Sequence, residues 1–234
     1  MNSAEQNACK KAAAEAASAL IEDGMVVGLG TGSTAAFFIP ALGRRLAENG
    51  LGIIGIPTSD HTEQLAREAK IPLSSFAEHT EIDLTVDGAD EIELGTLFLI
   101  KGHGGALLRE KIVAAASRRM VVIADETKLV DRLGSLVSVP VEIVRFGWQA
   151  TAKSLAKIGG NPSLRMGKEN TPYVTDGGNF IMDCAFGPMA DPKEIAHHLD
   201  HVVGLVEHGL FLKYASEAIV GGRDGVKTHR KSSS

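Results

Sequence analysis

Met25-Val26-Val27-Gly28-Leu29, followed by Gly30-Thr31-Gly32-Ser33-Thr34 and then by the segment Ala35 to Glu48, decides the fold class. The first run is apolar and too short for a helix, so it reads as a buried strand. The second, of glycines and hydroxyls, reads as a turn. The third has helical apolar spacing, with Pro40 expected to kink it. Together they make one β-loop-α unit. Upstream, Ser3 and Gln6 suggest a capping box that starts an alanine-rich helix, stopped at Asp23-Gly24. Downstream the alternation repeats through Ile53 to Ile56, His61 to Ala69, Leu84-Thr85-Val86, Leu97 to Ile100, Ala106 to Ser117 and Met120 to Ala124. Short apolar strands alternating with helices predict an α/β fold, a parallel sheet with helices on both faces.

The texture changes after Leu133. Val139 to Val144 reads as a strand, Gln149 to Ile158 as a helix and Gly159 to Pro162 as a break. Tyr173-Val174-Thr175 and Phe180 to Cys184 read as a hairpin around Asp176 to Asn179, and Asp191-Pro192 opens another helix. This predicts a smaller α+β domain over 136–207, set into a larger α/β domain formed by 1–135 and 208–234. The runs Leu210 to Leu212 and Ala218-Ile219-Val220 are expected to return to the first sheet, and everything from Gly221 onward to form a loose tail.

Composition narrows the function classes. The formal net charge of -5 among 234 residues gives no general attraction to nucleic acid or anionic membrane. No apolar stretch approaches the roughly 20 residues of a membrane span, and the first 20 residues carry Glu5, Lys10, Lys11 and Glu15, unlike a secretory signal. Two distant cysteines, Cys9 and Cys184, indicate neither a disulfide framework nor a zinc knuckle. A cytoplasmic protein is expected.

Ligands of parallel sheets sit beyond the carboxyl ends of the strands, where the polar segments are Gly30 to Thr34, Thr58-Ser59-Asp60, Asp87 to Asp90 and Lys101 to Gly105, and all but the second carry unusual constellations. Gly28 to Ser33 has part of a dinucleotide fingerprint, but residue 33 is serine where the last glycine belongs. Thr31, Ser33 and Thr34 beside open amides suit a single terminal phosphate instead; a plain strand-to-helix turn is the alternative. Asp87-Gly88-Ala89-Asp90 puts two carboxylates on a tight turn, suited to proton handling, to a metal ion, or to nothing beyond solvation. Lys101-Gly102-His103-Gly104-Gly105 joins a point charge to a pliable backbone, an oxyanion site, with Glu110 following on a helix or merely paired on its surface. His197 and His201 have zinc-like spacing, but residue 198 is histidine where that motif needs glutamate, so a solvated helix face is expected.

Gly30 to Thr34, Val86 to Glu91, Ile100 to Gly104, Arg109-Glu110-Lys111 and Ala124-Asp125-Glu126-Thr127-Lys128, in this order, resemble the ribose-5-phosphate isomerase A family. So do Pro140-Val141-Glu142, Thr175 to Asn179 and Asp224 to Lys227. The resemblance implies a Rossmann-like sheet and an aldose-ketose isomerase of the non-oxidative pentose phosphate pathway, working through an enediolate. It implies Glu110 as general base, with Asp87, Asp90 and Lys101 around the reacting carbons. Thr31, Gly32, Ser33, Thr34, Gly88, Ala89, Gly102, His103, Gly104, Lys128 and Lys10 are implied to hold the sugar phosphate. No cofactor and no metal are implied, and a homodimer is expected. His103 departs from the family pattern, which commonly has a small residue there. Two alternatives remain at this stage. A sugar-phosphate-binding regulatory domain would be marked by a helix-turn-helix extension, whereas here a helix is expected from Ser3. An acyl-CoA transferase would need a glutamate nucleophile and a nucleotide cleft.

Overall fold

The computed structural model describes residues 1–231. Its strands are β1 (Val26–Leu29), β2 (Ile54–Pro57), β3 (Ile82–Gly88), β4 (Glu91–Glu93), β5 (Leu99–Ile100), β6 (Ser117–Asp125), β7 (Leu129–Val130), β8 (Val139–Ile143), β9 (Asn161–Leu164), β10 (Phe180–Ala185), β11 (Leu205–His208), β12 (Leu210–Phe211), β13 (Ala215–Gly222) and β14 (Gly225–Arg230). The α-helices are α1 (Ser3–Ser18), α2 (Ala35–Asn49), α3 (Asp60–Glu68), α4 (Leu107–Ala115), α5 (Trp148–Lys157) and α6 (Pro192–Leu199).

The main sheet has the order β14-β13-β6-β3-β1-β2, parallel throughout except for β14. Its central strands are buried on both faces, which is why they read as unbroken apolar runs. On one face α1 lays Ala13, Ala14 and Ala17, all fully buried, against a core that contains Val27, Leu29, Val86 and Val121. Small side chains let this helix sit close to the sheet.

A second sheet, order β11-β8-β10-β9, is antiparallel and has its own core under α5 and α6. Pro162 falls in β9, an edge strand, where a missing amide hydrogen costs least. A third, small sheet of order β12-β5-β4-β7 joins the other two.

Several details differ from the sequence reading. The first helix is capped by Asn2 and Glu5, not Ser3 and Gln6, because the Asn2 side chain accepts from Glu5 N while the Glu5 carboxylate receives Asn2 N. It ends at Ser18, ahead of the Asp23-Gly24 stop. Helix α2 runs unbroken through Pro40. Leu99–Ile100 is a strand but pairs with Leu210–Phe211 in the third sheet, so neither run joins the parallel sheet. Phe180–Ala185 pairs with Val139–Ile143 and with Asn161–Leu164, the latter overlapping the stretch taken for a break, and Tyr173 to Thr175 forms no strand. The expected loose tail is instead β14, paired along its length with β13; residues 232–234 lie outside the described part.

Candidate active site

The carboxyl ends of β1 and β3, the loop after β5, the start of α4 and the turn after β6 converge on one cleft, which encloses about 400 Å³ of empty space. Thr31, Gly32, Ser33, Thr34, Gly88, Ala89, Asp90, Lys101, Gly102, Gly104, Glu110 and Lys128 line it. Asp87 and Lys10 stand just behind the lining. A larger hollow, about 1290 Å³ between α2 and α3, is lined by Pro40, Leu46, Leu65 and Pro72 with the exposed Arg44, Glu68 and Lys70 at its edge. It gathers no acid-base constellation, so size alone does not locate the chemistry.

Asp87 is fully buried. Its Oδ1 accepts from Thr31 N at 3.0 Å and from Gly88 N at 2.7 Å, and its Oδ2 lies 2.9 Å from Lys101 Nζ. This arrangement requires glycine at residue 30, since a Cβ there would stand 2.2 Å from Asp87 Oδ1. Lys101 Nζ donates to Gly88 O at 2.6 Å and to Glu110 Oε1 at 3.1 Å, beside its ion pair with Asp87. Glu110 is 3% exposed, and its Oε2 has no hydrogen-bond partner among the described residues.

One cation thus stands between two buried carboxylates. Burial pushes the Glu110 carboxyl up to about 8; Lys101 works against that shift, and the nearby Asp87 and Asp90 add to it. Burial also raises Asp87, opposed by Lys101 and two backbone amides. For Lys101 burial disfavours the charge, but Asp87 and Glu110 outweigh it and hold the ammonium above its usual range. Asp87 has the better claim to ionisation, because it takes two amide hydrogens in addition to the ammonium. Glu110 therefore holds the proton at neutral pH.

Asp90 is half-buried and receives His103 N on Oδ2 at 3.0 Å. Ser33 Oγ accepts from Lys10 Nζ at 3.0 Å, and Lys10 lies 4.0 Å from Asp125 Oδ2. Lys128 ends the 3₁₀ turn after β6. No side chain caps the N-terminus of α2 at Thr34; Ala36 N and Phe37 N bond Gly32 O and Thr34 O, and the positive end of the helix dipole lies beside Ser33 and these two lysines.

Two expectations change here. Thr31 lines the cleft, but its hydroxyl is turned into a buried cluster with Thr58 at 2.7 Å, Ser59 at 2.8 Å and Thr62 at 3.0 Å, which exhausts its bonding capacity. His103 is exposed and outside the lining, with Nε2 3.0 Å from Ser138 O. It reaches away from the cleft and contributes only backbone.

Sequence reasoning missed the groups behind and beside the cleft. Arg165, Tyr173 and Asp176 belong to the second-sheet region. Arg109 Nη1 lies 2.7 Å from Asp60 Oδ1 and 3.5 Å from Asp176 Oδ2. A second hollow, of about 750 Å³, shares Thr31, Gly32, Ser33 and Gly104 with the cleft and adds Ser59, His61, Tyr173 and Asp176. Arg109 and Asp176 stood within family-like motifs without a role of their own, and nothing local marked Arg165 or Tyr173, because their partners are distant in the chain. The cysteines are buried free thiols; His197 and His198 are exposed on α6, and His201 is exposed just after it.

The family model for ribose 5-phosphate isomerase A (phosphoriboisomerase A) matches residues 54–225. This chain belongs to that family. A ribose-5-phosphate isomerase A from Synechococcus is 51% identical over 95% of this chain and 97% of its own length, and one from Gluconobacter oxydans is 53% identical over 97% and 98%. Among solved structures, ribose 5-phosphate isomerase A from Methanocaldococcus jannaschii superposes with a TM-score of 0.91 at 43% identity, covering 95% of this chain and 98% of that one. A D-ribose-5-phosphate isomerase in complex with phospho-erythronic acid gives 0.93 at 42% identity, covering 98% and 100%. Isomerase A relatives therefore match almost the whole chain, in both sequence and fold. Among the described residues no helix is long and apolar enough to cross a membrane.

Proposed function

We propose that this chain interconverts D-ribose 5-phosphate and D-ribulose 5-phosphate through an enediolate, with Glu110 as the general base. The observation that carries the reading is the buried Asp87-Lys101-Glu110 group, with the unpartnered Oε2 of Glu110 at the cleft. Support comes from family membership, and from the relative solved with phospho-erythronic acid, an acidic four-carbon phosphate.

The steps follow from the groups present. The sugar's phosphate sits against the N-terminus of α2, Ser33, Lys10 and Lys128, and fixes the reacting end of the chain near Glu110. Asp90, the less buried aspartate, takes the anomeric hydroxyl proton and passes it to the ring oxygen as the C1–O4 bond breaks and the furanose opens. Glu110 then removes the proton on C2; its electrons form the C1–C2 double bond, and the carbonyl electrons move onto O1. A proton passes from O2 to O1, and Glu110 returns its proton to C1, leaving the carbonyl at C2. Lys101, buried between two carboxylates, acts on the developing oxyanion through its charge, while the Gly104 amide supplies a hydrogen bond. Asp87 keeps Lys101 charged and in place. Each carboxylate then has a separate duty, and none is left over for a metal ion.

A purely sugar-binding domain gains nothing from a carboxyl buried at a cost to stability, which disfavours the regulatory alternative. The larger unit, 1–135 with 208–234, supplies the acids and bases in this reading, and 136–207 buttresses them. A cytoplasmic homodimer is the expected form. The deciding experiment is a coupled assay for ribulose 5-phosphate formed from ribose 5-phosphate by the purified chain; no product at micromolar enzyme refutes the proposal.

A further inference from the structure

We infer that Arg165 is a positioning residue for the isomerisation, holding the 102–105 loop so that its Gly104 amide and the Asp90 carboxylate face the reacting carbons. The inference rests on the isomerase reading above and adds a residue that lies outside the cleft. Arg165 follows β9, and its guanidinium spends its hydrogens on two targets. Nε donates to Asp183 Oδ2 at 2.9 Å, and Nη2 pairs with Asp183 Oδ1, a fork that fixes the guanidinium plane. Nη1 donates to Gly102 O at 2.9 Å and to His103 O at 3.1 Å.

Those two carbonyls are consecutive, and the peptide bonds are trans. In a trans peptide the N–H points opposite to the carbonyl of the same unit. Drawing Gly102 O and His103 O toward Arg165 therefore turns His103 N–H and Gly104 N–H the other way. His103 N–H is found on Asp90 Oδ2 at 3.0 Å, as this geometry demands, and Gly104 lines the cleft. Arg165 thus sets one amide that orients Asp90 and the next amide, which faces the substrate.

A loop with glycine at 102, 104 and 105 has little stiffness of its own, and the clamp supplies it from outside. Tyr173 completes the backing. The Arg165 guanidinium lies 6.0 Å from the Tyr173 ring centroid, and a Cβ at Gly105 would stand 2.1 Å from the Tyr173 hydroxyl. Lysine cannot replace this arginine, because one ammonium has no fork to span a carboxylate and two carbonyls together.

The test is steady-state kinetics of Arg165→Lys and Arg165→Ala with ribose 5-phosphate, each checked by thermal melting. A loop displaced by about an ångström should lower kcat by about 10- to 100-fold. KM should stay within about threefold, since the phosphate contacts are untouched. The pH at which activity rises should not move, because Arg165 contacts neither Glu110 nor the Lys101 side chain. Arg165→Lys keeps a cation beside Asp183, so it decides the matter if the alanine variant does not fold. Restoration of part of the Arg165→Ala rate by added guanidinium would support the inference further. Retention of kcat within twofold in Arg165→Lys overturns it. So does a raised KM with kcat unchanged, which would make Arg165 a substrate contact. If wild-type protein yields no ribulose 5-phosphate, the isomerase reading has failed and this inference falls with it. A wild type that works beside unaffected variants sinks the inference alone.

Discussion

The pH dependence of turnover follows from the position of Glu110. With its pKa pushed to about 8, about one tenth of the free enzyme carries the ionised base at pH 7 and about nine tenths at pH 9. Only that form abstracts the C2 proton, so kcat/KM should climb about tenfold between those values and level off above pH 9. Above pH 7 the substrate phosphate is already the dianion, so the rise reports the enzyme. Initial rates at low ribose 5-phosphate, in buffers of constant ionic strength, give the profile. Glu110→Gln removes the base while keeping the shape of the side chain, and should lower kcat by about 100-fold or more with the pH rise abolished. It should also stop exchange of the substrate C2 proton with deuterated solvent. A flat profile from pH 6.5 to 9, or near-normal turnover of Glu110→Gln, refutes the assignment and returns the base to Asp90.

The same shift has a stability counterpart with a definite sign. Below the unfolded pKa, near 4.5, both states are protonated and Glu110 contributes no pH dependence. Between there and about 8 the unfolded carboxylate ionises while the folded one stays protonated, so the folded state binds more protons. Stability therefore falls as pH rises through that window. The slope approaches about 1.4 kcal/mol per pH unit for one group. Glu110→Gln should accordingly gain on wild type in melting temperature as pH goes from 5 to 8; parallel melting curves across that range would contradict the burial argument.

Replacing Ser33 or Lys128 by alanine should raise KM by about tenfold with little change in kcat, because phosphate contacts are made equally in ground and transition states; a fall in kcat at constant KM would count against these anchors. His103→Gly should keep kcat/KM within about tenfold, since its ring bonds only the Ser138 carbonyl on the far side of the loop; a loss of several hundredfold would make it a participant. Activity should survive prolonged treatment with EDTA, because Asp87 and Glu110 are already partnered by Lys101; loss restored by magnesium or manganese would return the aspartate turn to metal binding.

What the sequence disclosed tracks how local the determinants are. Val26 to Leu29 and Thr85-Val86 lie in strands covered on both faces, so a continuous apolar run was enough to place them. The segment Gly225 to Arg230 is almost wholly exposed, and its composition is that of a tail; only its ladder with Ala215–Gly222 makes it a strand. Leu99–Ile100 was legible as a strand, but two residues hold no information about a partner more than 100 positions later. Arg165 was invisible for a similar reason: the carbonyls it clamps lie 63 and 62 residues upstream, and an arginine near a strand end signals nothing by itself.

The chemistry of the site shows the same limit one level down. Residue types suggested a lysine aimed at an oxyanion and two aspartates sharing the hydroxyl protons, and only hydrogen-bond accounting reassigns these duties. Lys101 gives hydrogen bonds to Gly88 O and Glu110 and pairs ionically with Asp87. Asp87 is fully buried and takes two amide hydrogens on Oδ1, so in the proposed mechanism it serves as counter-charge and the hydroxyl work passes to the more open Asp90. Removing one partner of a buried charged group costs about 3–5 kcal/mol, which makes this network rigid. Within it, Glu110 Oε2 is a buried carboxylate oxygen at the cleft with no hydrogen-bond partner among the described residues. A buried oxygen with no partner is destabilising in the resting protein, and a substrate C–H presented to it meets a base that has little solvation to lose. In the proposed mechanism, the feature that weakens the fold is the one that makes Glu110 competent to take the proton.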